Sequence, residues 1–160
     1  MPALRLNHVS VHADDLEESA RFYEHVFELE RLPAPAFPDT AVLWLAVGEQ
    51  QLHLFTRETG PPRYHHFGIE VHDFEGVYAR AKELGALEPA TFGRGALREL
   101  PDGSVQMYLR DPAGNLVEVD WPDASTLDRS VVTELGRLAD EVEQPPEAAE
   151  ATLFHAANPR

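Results

Sequence analysis

Four side chains in this 160-residue sequence are suited to hold one divalent cation: His8, His53, His66 and Glu118. Neutral imidazoles and a carboxylate offer nitrogen and oxygen donors. That set matches Fe(II), Mn(II), Ni(II) or Zn(II) and is too rich in nitrogen for Mg2+ or Ca2+. A lone histidine on a strand is an ordinary residue; an internal repeat sets these apart. Shifting residues 7–17 by 58 positions lays His8 on His66, Val9 on Phe67, Val11 on Ile69, Asp15 on Asp73, Leu16 on Phe74 and Glu17 on Glu75. With approximate two-fold packing of the halves, His53 and Glu118 correspond as well, both on last strands. The sequence has no cysteine, so thiolate ligands, disulfides and cysteine nucleophiles are excluded.

The elements that must position these residues follow from periodicity. Residues 4–12 alternate as a half-buried strand, with Val9 and Val11 on one face and His8, Ser10 and His12 on the other. Asp14 and Asp15 precede Glu17 and Glu18 at capping-box spacing, and Leu16, Ala20, Tyr23 and Phe27 continue a helix over 15–28. Pro33, Pro35 and Pro38 restrict 32–39 to an edge strand or an extended loop. Strands follow at 41–47 and 50–56 around a Gly48-Glu49 turn, with Gln51, His53 and Phe55 on one face and Leu52 and Leu54 on the other. The first half reads β-α-β-β-β.

Beyond the linker Glu58–Pro62, a strand over 64–71 sets His66, Gly68 and Glu70 against Phe67, Ile69 and Val71. Asp73 caps a second helix with the stripe Phe74, Val77, Ala81 and Leu84, ended by Gly85. Residues 88–100 fit no single element, and Gly93 and Gly95 flank Arg94 in a loop pattern. Asp102-Gly103 is a hairpin signal ahead of strands 104–110 and 116–120, which are joined by Asp111-Pro112-Ala113-Gly114. The second half is again β-α-β-β-β. These are module one (1–58) and module two (63–121) of a single domain, 1–121. Residues 122–160 lie outside the repeat, where Leu127, Val131, Leu135, Leu138 and Val142 predict an amphipathic helix stopped by Pro145-Pro146, followed by a loose acidic tail.

Composition bounds the function. A formal charge of −15 with no Lys/Arg cluster repels a phosphate backbone and argues against nucleic-acid binding. No apolar run approaches the roughly 18 residues of a membrane span, and Met1-Pro2-Ala3 runs directly into a strand. The expectation is a soluble cytoplasmic protein with 43% apolar residues to build its core.

His8 in Asn-His-Val-Ser-Val, His66 in His-His-Phe-Gly-Ile and Glu118 in Asp-Pro-Ala-Gly-Asn-Leu-Val-Glu-Val, set in two βαβββ modules, resemble the vicinal oxygen chelate superfamily over residues 4–121. That superfamily includes glyoxalase I, extradiol ring-cleaving dioxygenases, methylmalonyl-CoA epimerase, and fosfomycin- and bleomycin-resistance proteins. The resemblance implies an α+β fold whose paired modules form a curved mixed sheet around a metal cavity, with a C-terminal helical extension. It implies His8, His66 and Glu118 as ligands to one divalent ion. A fourth ligand falls on His53, where glyoxalase I has a glutamate. It also implies a lyase or isomerase acting on a small molecule that chelates the metal through neighbouring oxygens, with Glu118 as ligand and base and with Glu70 and His12 as supporting residues. Residues 107–118, with Tyr108, resemble the carboxyl half of the extradiol dioxygenase signature, but the histidine expected before that tyrosine is missing, since residues 99–102 are Glu-Leu-Pro-Asp. A metal-free binding protein is the third reading. Relatives are commonly dimers, with modules paired within one chain or across two, so the resemblance implies a homodimer.

Overall fold

The computed structural model describes residues 6–37, 40–56, 60–93 and 95–154. Expectations resting on residues 4 and 5, Pro38, Glu58, Thr59, Arg94 or the last six residues of the tail lie outside the described residues. The first half forms strand β1 (His8–His12), helix α1 (Leu16–Phe27), and strands β2 (Arg31–Leu32), β3 (Val42–Val47) and β4 (Gln50–Phe55). The second forms β5 (His66–Glu70), α2 (Phe74–Glu83), β6 (Leu97–Glu99), β7 (Val105–Arg110) and β8 (Leu116–Trp121). Each half is therefore β-α-β-β-β. The first sheet has the order β1-β4-β3-β2. The second continues β5-β8-β7-β6 with one more strand, β9 (Gly136–Arg137).

The repeated helix starts work as their sequences require. Asp15 caps α1 by accepting from the Glu18 backbone N–H at 2.9 Å, and Asp73 caps α2 by accepting from that of Gly76, also at 2.9 Å. α1 buries Ala20, Phe22, Tyr23 and Val26, while α2 buries Phe74, Val77, Tyr78 and Ala81. Leu84, expected on the second stripe, is 50% exposed, because α2 stops at Glu83 and Gly85 turns the chain at φ +65°. In the first sheet β1 runs parallel to β4, and β4 runs antiparallel to β3 around the two-residue turn Gly48-Glu49. Leu45, Leu52 and Leu54 are fully buried, as the alternation requires. β2 is short, lies at the sheet edge and ends before Pro33.

The C-terminal segment corrects one expectation. No continuous helix spans 127–142; the segment holds a 3-10 turn (Ala124–Thr126), β9, a single helical turn α3 (Leu138–Glu141) and a second 3-10 turn (Pro146–Glu150). Two local causes act against the helix. Asp128 draws the Ser130 backbone N–H (2.8 Å) and hydroxyl (2.7 Å) onto its own carboxylate. Further on, Gly136 and Arg137 pair in parallel with Arg98 and Glu99 on the open edge of β6. The ambiguous stretch 88–100 thus contains β6, which the extension completes.

The chain falls into two compact units, Met1–Phe67 with Arg110–Leu116, and Gly68–Leu109 with Val117–Arg160. In the first unit a buried carboxylate holds α1, β1 and the 110–116 turn together. Asp111 Oδ2 accepts from the Tyr23 hydroxyl at 2.8 Å and from Asn115 Nδ2 at 2.7 Å, and its Oδ1 accepts from the Asn115 backbone at 2.7 Å. Asn115 Nδ2 also donates to the His12 carbonyl at 2.6 Å. Burial pushes the pKa of Asp111 up, and these donors offset part of that cost. Asn115→Ala leaves two buried acceptors short of a donor. We expect it to lower stability by about 2–3 kcal/mol, read as a lower urea midpoint at unchanged slope, with Tyr23→Phe losing less.

Candidate metal centre

His8 and His53 project from the same face of the first sheet and lie ring on ring. Their centroids are 4.3 Å apart and their planes 17° apart. Register explains the arrangement. Ser10 faces His53 across the parallel β1–β4 pair, so His8, two residues earlier, is its diagonal neighbour. On the other side the two-residue turn sets Trp44 opposite His53. The indole stacks on the imidazole at 4.2 Å and 5°. His8 Nδ1 donates to Asn7 Oδ1 at 3.0 Å, which leaves the ring's lone pair on Nε2. His53 has the opposite tautomer: Nε2 donates to Gln51 Oε1 at 2.8 Å. Partial burial, then the neighbouring His8, lower the pKa of His53, so it stands as a neutral ring.

His66 opens β5, the strand next to β8 in the second sheet. Its Nδ1 donates to the Tyr64 carbonyl at 3.0 Å, and the lone pair again falls on Nε2. The two histidines matched by the repeat therefore share a tautomer, fixed in each case by an oxygen acceptor on Nδ1, as metal-binding histidines require. Glu118 on β8 is 4% exposed, and its Oε1 accepts from Gln106 Nε2 at 2.7 Å. Tyr108, two residues along β7, donates its hydroxyl to Gln106 Oε1 at 3.3 Å. Burial and the adjacent Glu118 keep that phenol protonated far above its ordinary range.

Asp120, absent from the sequence-based set, adds a second acid to this face. It is 8% exposed, and its Oδ1 has no hydrogen-bond partner. Burial, then Glu118 and Glu70, raise its pKa to about 8. Gly68 on β5 makes room for it: a Cβ there would stand 2.6 Å from Asp120 Oδ2. The signal was available in the sequence, since Asp120 shares the alternating row of Glu118. Of the two expected supporting residues, Glu70 is exposed on β5 and acts on Asp120 through charge. His12 is 7% exposed and donates from Nε2 to Asp14 at 2.7 Å. Within the first unit a cleft of about 300 Å3 is lined chiefly by Val9, Val11, Phe55, Pro61, Phe67 and Leu116.

The donor chemistry fits a borderline divalent ion: two imidazoles of matched tautomer and a buried carboxylate beside a second acid. Among the described residues, however, no three His, Asp or Glu side chains of a single chain gather into a metal-binding group.

Residues 5–119 match the Glyoxalase/Bleomycin resistance protein/Dioxygenase superfamily. The chain belongs to that superfamily. The metallothiol transferase FosB of Shouchella clausii is 28% identical to it over 122 residues, covering 71% of this chain and 77% of the relative. The crystal structure of lactoylglutathione lyase from Agrobacterium tumefaciens is similar at TM-score 0.55 and 27% identity, over 75% of this chain and 95% of that one. The oxidase ChaP-H2 is similar at TM-score 0.60 and 25% identity, over 73% and 92%. The superfamily match stops before the C-terminal extension. No helix among the described residues is long and apolar enough to cross a membrane.

The fit of Asp120 over Gly68 can be tested by a double-mutant cycle. Gly68→Ala is expected to cost about 1–3 kcal/mol through the clash with the carboxylate. In an Asp120→Ala background the same change is expected to cost much less, and thermal melts of the four proteins measure the coupling.

Proposed function

We propose that this protein is a divalent-metal-dependent enzyme of glyoxalase-like type, a lyase or isomerase acting on a small molecule that presents two neighbouring oxygens. The observation that carries this reading is the shared tautomer of His8 and His66, each holding Nδ1 on an oxygen so that the ring's lone pair falls on Nε2. The ligands we assign are His8, His66 and Glu118, for Fe, Mn, Ni or Zn. In a homodimer His8 of one copy would meet His66 and Glu118 of a second. Two features support that arrangement. β1 and β5 are both edges of their sheets, and half-buried Val9 and Val11 line an apolar cleft beside β1 that a second copy would cover.

The bound ion supplies a positive centre for the charge that develops on the substrate oxygens. The chain's own residues do the rest. Glu118, held through one oxygen by Gln106, takes the proton alpha to the substrate carbonyl. Tyr108, kept protonated by burial and linked to Glu118 through Gln106, would turn its one hydroxyl proton from Gln106 to the oxygen that gains charge. Burial of β8 excludes water from that proton transfer.

An extradiol-type Fe(II) dioxygenase is the second reading. It is favoured by the two-histidine, one-carboxylate set and by the likeness to an oxidase.

Elemental analysis of the purified protein should show one transition metal per chain, and a metal-free protein would point to the binding reading. His8→Ala, His66→Ala and Glu118→Gln should each abolish binding. Unfolding and refolding a mixture of His8→Ala and Glu118→Gln chains should restore some sites, because one site of each mixed dimer keeps all three ligands. No recovery would place the site within one chain. Turnover of the thiohemiacetal of methylglyoxal supports the lyase reading. A yellow product from a catechol and oxygen after anaerobic Fe(II) loading supports the dioxygenase, and consumption of a thiol with fosfomycin would instead assign a FosB-like transferase.

A further inference from the structure

We propose that His53 is a positioning residue: it is the middle plate of a Trp44–His53–His8 stack that holds the His8 imidazole for a divalent ion, and it does not itself ligate that ion. The inference rests on the assignment of His8, His66 and Glu118 as ligands and deepens it.

The geometry separates the two roles. An imidazole nitrogen binds a metal through a lone pair in the ring plane, at about 2.0–2.1 Å. The His8 and His53 rings are stacked with centroids 4.3 Å apart and planes only 17° from parallel. A point within bonding distance of a nitrogen on each ring would lie between the planes, where neither lone pair reaches. One ion can take one of these histidines, not both.

Three contacts decide which ring is held. His53 has the Trp44 indole on one face, His8 on the other and Gln51 on its Nε2. Turning it to bring Nδ1 to an ion would break both stacks and the hydrogen bond. His8 lies on the edge strand and is exposed, and among the described residues its ring hydrogen-bonds from Nδ1 to the adjacent Asn7. Its ring plane is therefore set mainly by the plate beneath it. The register that produces the stack is fixed by the turn after β3, which places Trp44 opposite His53, and by the parallel β1–β4 pairing.

The test compares a flat ring without nitrogen donors against no ring at all. Co(II) is titrated into the metal-free full-length protein by calorimetry, and the Co(II) absorption spectrum reports coordination number. His53→Phe should bind Co(II) as the unaltered protein does, with the same spectrum, whereas His53→Ala should bind about 10–100-fold more weakly, the usual cost of losing a residue that orients a ligand. Equal losses in the two variants, or a changed coordination number in His53→Phe, would overturn the proposal and make His53 a ligand. If His53→Phe fails to fold by circular dichroism, Trp44→Ala decides. Weaker Co(II) binding with an unchanged spectrum supports the stack, and unchanged affinity overturns it. His8→Ala tests the underlying assignment separately. If it binds Co(II) like the unaltered protein, the ligand set fails and the stack's role fails with it; if it does not, a failure at His53 counts against the stack alone.

Discussion

Each sheet has one face that must be covered by apolar packing, and that requirement decides which side chains are left for chemistry. In the first sheet Leu45, Leu52 and Leu54 are fully buried, and burial of each is worth roughly 1.5–3 kcal/mol. A single hydrogen bond, such as that between His53 and Gln51, contributes about 1 kcal/mol. The leucines therefore set the register, and the histidines follow on the opposite row. A slip of one residue would turn His53 toward the helix and a leucine toward the polar face. The same pleat brings Trp44, His53 and His8 into one stack.

Two buried carboxylates show how differently the fold treats acids. Asp111 receives donors from Tyr23 and twice from Asn115, and it ties α1 and β1 to the 110–116 turn. It is a fully served structural acid. Asp120 lies just as deep, with one oxygen lacking any donor and with Glu118 and Glu70 as electrostatic neighbours. A pKa raised to about 8 keeps Asp120 largely uncharged at neutral pH, yet a buried oxygen without a partner still costs stability. Folds tolerate such a conflict chiefly where a site needs it, and here it lies beside the carboxylate assigned to the ion.

The C-terminal extension illustrates a competition that local pattern does not register. Arg98 is the junction: its guanidinium holds the carbonyls of Phe92 and Gly93 and lies 3.7 Å from Glu141 of α3. Glu99 faces both Arg129 at 3.9 Å and Arg137 at 3.6 Å, and Lys82 of α2 reaches Glu134 at 3.1 Å. These pairs are partly exposed, and each is worth little alone. With β9 on the edge of β6 they replace the helix that apolar spacing suggested, and the two-residue β9 becomes the short outer edge of the second sheet.

By itself the sequence determined most elements of the two repeated halves. Asp15 and Asp73 are caps because their carboxylates match the backbone N–H three residues on. The strands alternate because a pleat has period two, and the repeat placed His8 and His66 alike because equal sequence folds alike. Even the pairing of Trp44 with His53 was implicit in a two-residue turn between Val47 and Gln50. What only the tertiary structure decided depends on partners distant in the chain. The plane of the His53 ring came from two neighbouring strands; the depth of Asp120 came from a glycine on β5, and the fate of residues 127–142 from an unpaired edge nearly forty positions earlier. Periodicity says which way a side chain points, but the packed neighbours decide what it meets there.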